Sequence, residues 1–377
     1  MVAPFYYFKF LLYISVTLTF IVGSREMINV YIKEVAKRLN TTPRSIRFYE
    51  EKGLIFPEKD VENDYRSFTE SDILRLSTIL ALREIGISIS NIGKILQNPE
   101  MGMNDYLTIQ RSALFEKWIE MKDMIETIDQ MMDGTDVDTY SIEEIVMLSQ
   151  HLKGIKNARK NWEDKWNFDE QAVDYDQNIK MHGYRFNVHE DYEKALSKVV
   201  TSISLQPGDI SLDIGVGTGN LGAKFLSKST KVIGVDQSEK MLLICNEKHP
   251  NMETRKGHFL ALPLLDNQVN NVVSSYALHH LPDSEKVLAF KEMDRVLKDE
   301  GQICIVDLMF LNEQHRTKVI GDFHESGNTE AIEAIEDEFY ADRSVLVDRL
   351  VDNGYHVETH QFNDILSMIY ASKGVKK

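Results

Sequence analysis

Glycines and an acidic residue are concentrated in one short stretch of the C-terminal half, LDIGVGTGN at residues 212–220. Glycine has no Cβ, so a turn built from Gly215, Gly217 and Gly219 lets the backbone approach a ligand closely. A following helix would offer its N-terminal N–H groups to the same ligand. The G-x-G-x-G spacing and the preceding Asp213 differ from the G-x-G-x-x-G turn of dinucleotide-binding proteins. The stretch therefore predicts a site for a nucleotide-like ligand that differs from the sites of dinucleotide-binding proteins.

A second acidic residue, Asp236, ends the next apolar run, KVIGVD. It follows Asp213 at nearly the spacing expected between the glycine turn and the ribose-binding acid of a nucleotide-binding unit. A carboxylate at the end of that strand can accept hydrogen bonds from both ribose hydroxyls. We therefore expect Asp236 to bind a ribose.

Two adjacent histidines, His279 and His280, follow an apolar run at residues 271–275, with Tyr276 close by. If that run is a strand of a parallel sheet, the pair lies at the carboxyl edge, where ligands bind. Imidazole can give or take a proton near neutral pH. His279 is the first candidate for a catalytic contact with substrate, and His280 is the second. The alternative is that one of them packs against, or caps, the turn that begins at Leu281.

The elements that must position these residues alternate in type. Apolar runs predict strands at residues 210–214, 231–235, 271–275 and 302–308, and helical patterns lie at 240–248 and 284–297. Strands alternating with helices indicate a doubly wound α/β fold with a parallel sheet.

The N-terminal part has a different pattern. The segment IKEVAKRL at residues 32–39 is an amphipathic helix with a basic face that includes Lys37, and NTTP then interrupts it. Thr42 can cap a second helix, which starts at Pro43 and ends before Gly53. Two short helices around a tight turn predict a helix-turn-helix, whose second helix enters the DNA major groove. The turn-rich stretch at residues 57–66 is typical of a wing.

The segments YIKEVAKRLNTTPRSIRFYEEKGLIFPEK, NDYRSFTESDILRL and LREIGISISNIGKIL resemble, in this order, the MerR family of bacterial regulators. The resemblance implies that Arg44, Ser45 and Arg47 lie on the recognition helix. It also implies that Tyr65 and Arg66 contact DNA phosphates. The wing departs from the family because it carries several carboxylates, with Asp64 in place of a small glycine, and these should weaken phosphate contact. The alternative is that the arginines are ordinary solvated charges.

A helix without glycine or proline is predicted from Asp105 to Met132. Its apolar residues recur at heptad spacing, which predicts a coiled-coil seam. They are Leu107, Leu114, Trp118, Met121, Ile125, Ile128 and Met132. The MerR resemblance implies that this helix pairs with its copy, antiparallel, in a homodimer. Core packing is favoured over the alternative that the Met and Trp side chains form a ligand box.

The second half resembles class I S-adenosylmethionine (AdoMet)-dependent methyltransferases. The matching segments are LDIGVGTGN, VIGVDQSEKML, KGHFLALPL, VVSSYALHHL and EMDRVLKDEGQICIVDL. The resemblance implies a Rossmann-like domain with a mostly parallel seven-stranded sheet and AdoMet as cofactor. It assigns Gly215, Gly217 and Gly219, after Asp213, to the methionine part of AdoMet, and Asp236 to the ribose.

The same resemblance implies that Gln237 and Met241 flank the adenine, and that His258 and Phe259 belong to its binding site. The family commonly has aspartate at the position of His258, and a neutral histidine can still accept one hydrogen bond. The segment WNFDEQAVDYDQ resembles the N-terminal lid of small methyltransferases, in which Tyr175 closes over the cofactor. No Asn-Pro-Pro-Tyr type motif is present, which argues against a DNA amino-methyltransferase and favours a small-molecule acceptor.

The composition of the chain restricts its binding partners and its cellular environment. The formal net charge is -16, so binding to double-stranded DNA must depend on a local basic face. Cys245 and Cys304 are the only cysteines, which excludes a disulfide framework and fits a reducing cytoplasm. We expect both to lie in the core and predict no metal site.

Residues 10–22, FLLYISVTLTFIV, conflict with that expectation. They could be a membrane anchor or a secretion signal. We favour a third interpretation, in which the natural protein starts at Met27 and does not associate with a membrane.

These patterns predict a multidomain chain: an all-α winged helix-turn-helix with a coiled-coil helix, followed by the α/β methyltransferase domain. The expected segments are residues 1–26, 27–98 for DNA binding, 99–134 for dimerisation, 135–170 as a helical connector and 171–377 for methyl transfer. The predicted function is a transcriptional regulator fused to a small-molecule methyltransferase. Two alternatives stay open: a non-catalytic AdoMet or ligand sensor, and an enzyme whose N-terminal module only dimerises.

Overall fold

The structure is a computed structural model that describes residues 30–59, 66–97, 103–133, 142–160, 166–181, 186–228 and 230–374. The N-terminal apolar segment, the expected start at Met27, and Asp64 and Tyr65 of the wing lie outside the described residues. The chain divides between Tyr106 and Leu107 into two compact units.

Before Met103, the described residues of the first unit form four helices and three short strands. The helices are α1 (Ile32–Arg38), α2 (Pro43–Glu51), α3 (Glu70–Glu84) and α4 (Ile89–Gln97). The strands are β1 (Val30–Tyr31), β2 (Glu58–Lys59) and β3 (Arg66–Phe68), and they form an antiparallel sheet in the order β1-β3-β2. The helix-turn-helix is therefore confirmed, with a small sheet added to the predicted helices, and residues 60–65 of the predicted wing lie outside the described residues.

Local signals explain the position of α2. The Thr42 hydroxyl accepts the N–H of Ser45 at 3.0 Å, and Pro43 occupies the first helical position. Gly53 has a φ of +68°, a left-handed conformation that ends the helix at little cost. Ile46 and Tyr49 are buried on the inner face of α2.

The second unit begins within the long helix α5 (Met103–Asp133) and continues with α6 (Ile142–Lys160). Most of the predicted coiled-coil residues of α5 do not pack inward: Ile125 is 58 % exposed and Met132 is 65 % exposed, whereas Trp118 is half-buried and contacts Arg295. Another face of α5, with Ser112, Ile119 and Asp123, is buried. The helix therefore presents an apolar face outward while a different face packs within its own unit.

The core of the second unit is one sheet. Its main strands are β4 (Ile210–Ile214), β5 (Lys231–Asp236), β6 (Glu253–Lys256), β7 (Val269–Ser275), β8 (Leu297–Phe310), β10 (Tyr355–Gln361) and β11 (Leu366–Lys373). Their order is β10-β11-β8-β7-β4-β5-β6. The pairs among β4 to β8 are parallel, and the β8–β11 and β10–β11 pairs are antiparallel. The predicted mostly parallel seven-stranded sheet is confirmed, with a two-residue strand β9 (Ala341–Asp342) added beside β8.

Helices cover both faces of the sheet. The described helices that follow α6 are α7 (Phe168–Gln171), α8 (Tyr175–Asn178), α9 (Tyr192–Ser202), α10 (Asn220–Leu226), α11 (Glu239–Lys248), α12 (Asp283–Val296), α13 (Glu313–Glu325), α14 (Thr329–Asp337) and α15 (Arg343–Asp352). One apolar cluster includes Leu196 and Phe225, and the other includes Met293 and Leu350. Because β4, β5, β7 and β8 are parallel, their carboxyl ends meet at one edge, where the candidate site lies.

Cys245 and Cys304 are free and buried, as expected. No helix in the described part of the chain is both long and apolar enough to cross a lipid bilayer.

Candidate functional site

The glycine turn folds over the end of β5. The N–H groups of Gly215 and Val216 both donate to the carbonyl oxygen of Val235, at 2.8 and 3.0 Å. Gly215 has a φ of +72°, and a Cβ there would lie 2.4 Å from the Cβ of Ala277. The turn therefore requires glycine for its conformation and for the close approach of the segment after β7.

Asp236 is fixed beside this turn. Its Oδ2 accepts the N–H of Gly217 at 2.8 Å, its Oδ1 accepts the N–H of Ser238 at 2.9 Å, and the residue is only 9 % exposed. A carboxylate can accept more than two hydrogen bonds. It can therefore accept the two hydroxyls of a ribose without losing its orientation.

The turn and Asp236 form part of a cleft with about 570 Å³ of empty space. Its lining is mostly apolar and aromatic, as is usual for cofactor sites. The lining residues are Phe168, Tyr175, Ile214, Gly215, Gly217, Val235, Asp236, Gln237, Met241, Gly257, His258, Phe259, Tyr276, Ala277, His280 and Leu281. The sequence-predicted residues among them are Tyr175, Gly215, Gly217, Asp236, Gln237, Met241, His258 and Phe259.

Two predicted cofactor residues lie outside this lining. A Cβ on Gly219 would lie 2.6 Å from His249, so Gly219 is needed where the turn passes α11. Asp213 is buried behind the turn, and burial raises its pKa to about 8, opposed by the Gly222 N–H and assisted by the Asp236 charge. The structure gives both residues a role in shaping the turn, and their contact with a cofactor stays a prediction.

A lid of two short helices, α7 and α8, is fastened to both sides of the cleft. On one side, Asp169 accepts hydrogen bonds from the Ser238 hydroxyl at 2.6 Å and the Lys240 N–H at 3.2 Å. These bonds hold α7 to the start of α11.

On the other side, Asp176 accepts hydrogen bonds from Thr218 at 2.6 Å, Asn220 at 2.9 Å and Lys248 at 2.5 Å. Those three groups lower the pKa of Asp176 against the opposing effect of burial. The sequence predicted Tyr175 in a lid but not the two aspartates that hold it. These aspartates alternate with aromatic residues in WNFDEQAVDYDQ, and this pattern is the sequence signal that could have identified them.

Asp307, at the end of β8, organises the segment after β7. Its Oδ2 accepts the N–H groups of Ala277 and Leu278 at 2.8 and 2.7 Å, and its Oδ1 contacts His279 Nδ1 at 2.5 Å. Tyr276 adopts a left-handed φ of +50°, which this anchoring helps to maintain. Sequence reasoning missed Asp307, because only the parallel pairing of β7 and β8 brings it to the histidines.

The two histidines have different surroundings. His279 is buried and lies outside the lining of the cleft, so its proposed contact with substrate stays a prediction. Burial opposes its charge, but Asp307 and Glu338 raise the pKa of His279. His280 does line the cleft, with its ring 4.4 Å from Trp166 and 4.9 Å from Phe168 between centroids. Burial and the neighbouring His279 lower the pKa of His280 well below its usual value, so this ring is neutral at pH 7.

In the first unit, the residues predicted for a recognition helix lie on α2. Arg44 and Arg47 are exposed on α2, Ser45 is half-buried beside Thr42, and Lys37 is exposed on α1. Arg66 instead donates to the carboxylate of Glu50 at 2.5 Å. A phosphate would have to compete with Glu50 for this arginine.

Comparison with known proteins gives two family matches. Residues 31–99 match the family model of the MerR HTH family regulatory protein, and residues 212–301 match that of a methyltransferase domain. Uncharacterized methyltransferase YrrT of Halobacillus halophilus is 31% identical over 208 residues, which are 55% of this chain and 96% of that protein. An uncharacterized methyltransferase of Oceanobacillus iheyensis is 32% identical over 207 residues, covering 55% of this chain and 95% of that protein. The chain belongs to this methyltransferase family.

Its N-terminal unit carries a MerR-family helix-turn-helix domain, so the fusion expected from the sequence is confirmed. Among solved structures, the YcgJ protein from Bacillus subtilis has 18% identity and a TM-score of 0.40, and covers 48% of this chain and 98% of that chain. A similarity of this size bears on no functional statement.

AdoMet is the cofactor that fits this methyltransferase cleft. The glycine turn leaves space at Gly217, where an added Cβ would meet only the Tyr175 ring, at 3.9 Å. Asp236 lines the cleft with a carboxylate that could accept ribose hydroxyls, and Met241 and Phe259 line it with apolar side chains that suit a purine. The residues present therefore match the polar and apolar parts of AdoMet.

Proposed function

We propose that this methyltransferase-family protein is a DNA-binding transcriptional regulator that transfers the methyl group of AdoMet to a small molecule. The observation that carries the proposal is the cleft itself, with Asp236 and the glycine turn on one side, the lid on the other and neutral His280 in its wall. A cleft closed by a lid suits a small acceptor better than a base within a DNA duplex.

In this mechanism AdoMet supplies a methyl group bonded to a positively charged sulfur, and this sulfur is a good leaving group. Asp236 would bind the ribose, the backbone at Gly215 and Gly217 would contact the methionine part, and Tyr175 would exclude water. Holding the acceptor in line with the methyl group supplies most of the rate. His280 is neutral and lines the cleft, so its imidazole can form a hydrogen bond with the acceptor. His279 and Asp307 hold the turn that presents His280.

We also propose a homodimer through α5, because its apolar seam is exposed in the single chain. Leu114, Met121, Ile125 and Ile128 all have large exposed fractions. A second copy of the same helix, with the same heptad spacing, would cover them. A twofold dimer would present two α2 helices to a pseudo-palindromic DNA site. Binding to DNA and two buried, unpaired cysteines fit a cytoplasmic protein.

One observation favours the alternative in which the N-terminal module only dimerises: Arg66 is engaged by Glu50. The two functions differ in DNA selectivity. A working regulator should prefer DNA from its own promoter over random DNA, and Arg44→Ala should remove that preference. A dimer with no preference at low salt would favour the alternative.

The methyltransferase proposal is tested with Asp236→Ala, compared with the exposed control Asp299→Ala. Loss of the charge-assisted ribose bonds should weaken AdoMet binding by about 2–4 kcal/mol in calorimetric titration. S-adenosylhomocysteine formation in the presence of candidate small molecules then measures catalysis. Unchanged AdoMet affinity in folded Asp236→Ala would refute the cofactor assignment. AdoMet binding without any product would favour the non-catalytic sensor.

A further inference from the structure

A second cluster of polar groups lies beside the cofactor cleft, at the turn that carries the two histidines. His279 Nε2 lies 3.6 Å from one carboxylate oxygen of Glu338, and His280 Nδ1 lies 4.0 Å from the other. The three donor atoms all lie within 4.8 Å of one another. Glu338 directly follows α14, so three side chains from two distant segments converge here.

The orientation of His279 is fixed from behind. Its Nδ1 is held by Asp307, which turns Nε2 toward Glu338. A carboxylate behind an imidazole is the usual arrangement for metal-binding histidines, because it fixes the ring and makes the outer nitrogen more basic. The neighbouring His280 ring lies 4.0 Å away between centroids.

The second potential ligand atom is the Nδ1 of His280. His280 Nδ1 is buried and makes no hydrogen bond to any described residue. A buried nitrogen without a partner is unfavourable in a folded protein, and it is commonly satisfied by an ion or a water. The 4.0 Å separation from Glu338 is too long for a hydrogen bond and leaves room for an atom between them.

Backbone contacts hold Glu338 opposite the histidines. The N–H of Phe339 donates to the carbonyl oxygen of His279 at 2.9 Å. The buried ammonium of Lys286 then joins the carbonyl oxygens of Phe339 and Leu281, each at 2.7 Å. The donor set is therefore built into the fold and does not depend on a flexible surface side chain.

An acidic cavity that is open to the surface leads to Glu338. Its lining includes the carboxylates of Asp283, Glu313, Glu338 and Asp342 and a single cationic side chain, Arg316. Tyr340, 8 % exposed, also lines the cavity, and its hydroxyl has no hydrogen-bond partner in the described part of the chain. Asp283 is paired with the Lys286 ammonium at 2.9 Å, but the other three carboxylates still outnumber the one arginine. This excess of negative charge attracts cations and provides a route to the cluster.

We propose that His279, His280 and Glu338 bind one divalent transition-metal ion. Two imidazoles and one carboxylate are a ligand set for zinc, iron, manganese or cobalt ions, with positions left open for other ligands. Ligands around a tetrahedral ion at about 2.0–2.2 Å lie roughly 3.4 Å apart, so the side chains need only small movements. Because His280 also lines the cofactor cleft, an open position on the ion can bind an oxygen, nitrogen or sulfur of the methyl acceptor. That last role rests on the proposed methyltransferase function, whereas metal binding does not.

The test uses the full-length protein with any polyhistidine tag removed, stripped with a chelator and without AdoMet. Titration with Zn²⁺ in a calorimeter should give one equivalent of tight binding. Co²⁺ should give the visible d–d absorption of a site with nitrogen and oxygen ligands. Glu338→Gln and His280→Gln should each weaken binding at least 30-fold and change the Co²⁺ spectrum. Glu313→Gln is the matched control, because Glu313 is an exposed acid of the same cavity that is not a ligand.

Substitution of His279 is avoided, since it would leave Asp307 buried without its partner. Thermal melting and AdoMet titration establish that each variant is folded, and if one ligand variant unfolds the other decides. Absence of stoichiometric binding by the wild-type protein would overturn the proposal. So would a folded ligand variant that keeps wild-type affinity and an unchanged Co²⁺ spectrum. Neither metal-binding measurement depends on catalysis. A failure of the metal proposal can therefore be distinguished from a failure of the methyltransferase proposal.

Discussion

His258 stands in the wall of the cofactor cleft, at the position where the resemblance to class I methyltransferases implies an aspartate. Burial and the nearby Arg159 guanidinium lower its pKa to about 4, so the ring is neutral at pH 7. Its Nδ1 accepts the N–H of Leu260 at 3.3 Å, which leaves the proton on Nε2. Nε2 can then donate a hydrogen bond but cannot accept one from the adenine amine.

We therefore expect His258→Asp to bind AdoMet about tenfold more tightly, since it restores an acceptor for that amine. His258→Asn, with a neutral acceptor, should fall between the two. Calorimetric titration of AdoMet measures all three proteins. Equal or weaker binding by His258→Asp would mean that this position does not face the amine.

At this scale, residues within continuous motifs were predictable and residues from distant segments were not. Asp236 and Gly217 belong to patterns with fixed spacing, and both line the cleft. Asp307 and Glu338 reach the histidine turn only because β7, β8 and the segment after α14 meet at one edge of the sheet. Contacts between such distant segments leave no fixed spacing in the sequence.

At the scale of elements, the lid is held by charged side chains. Asp176→Asn removes the negative charge that faces Lys248 but preserves the size of the side chain. The lid should then open more often, and AdoMet should dissociate about three- to tenfold faster with little change in its association rate. Stopped-flow measurement of both rates tests this. Glu170→Gln, an exposed acid of the same lid, should behave as wild type, and equal rates in Asp176→Asn would argue against a fastened lid.

The seam of α5 gives a prediction about assembly. Ile125 is exposed in the single chain, so Ile125→Asp should leave the fold and the melting temperature intact. In a dimer the same change buries a charge, so sedimentation should detect monomers, and DNA affinity should fall. Gln130→Asp, exposed on the same helix but outside the seam, should remain dimeric. A monomeric wild-type protein would contradict the prediction.

The boundaries of α5 could be predicted, but the use of its second face could not. Heptad spacing located the apolar seam. The buried face works through polar contacts: the Ser112 hydroxyl donates to the carbonyl oxygen of Lys256, and Asp123 pairs with Arg159 of α6. Polar contacts leave no hydrophobic periodicity in the sequence. The segment expected as a connector contains this second packed helix, α6.

At the scale of the whole molecule, the adenine side of the cleft is shared with α5 and α6. The segment Lys256–Leu260 supplies Gly257, His258 and Phe259 to the cleft. Its ends are held by Ser112 of α5 and by Arg159 of α6, which donates to the carbonyl oxygen of Leu260 at 2.8 Å. Cofactor binding and the position of the predicted dimerisation helix therefore depend on the same short segment.

This arrangement predicts coupling between the two ligands. AdoMet should change DNA affinity by about 5- to 150-fold, and DNA should change AdoMet affinity by the same factor, as thermodynamic linkage requires. Arg159→Gln should reduce the factor toward one. Lys156→Gln, which removes an ion pair between α6 and Glu120 of α5, should leave the coupling factor unchanged. Fluorescence anisotropy with labelled DNA, with and without AdoMet, measures the factor, and a value of one in the wild-type protein would exclude coupling.

The packing of α5 and α6 has a consequence for dividing the chain. A fragment that starts at residue 107 keeps the side chains of Ser112, Trp118 and Arg159 against the methyltransferase domain. A fragment that starts at residue 171, where the sequence predicts the domain to begin, gives the carbonyl oxygens of Lys256 and Leu260 to water and leaves Arg295 without the indole ring 5.0 Å from it. It also loses Asp169, one of the two attachments of the lid. The shorter fragment should therefore bind AdoMet more weakly than the longer one, and activities measured on it would not represent the intact chain.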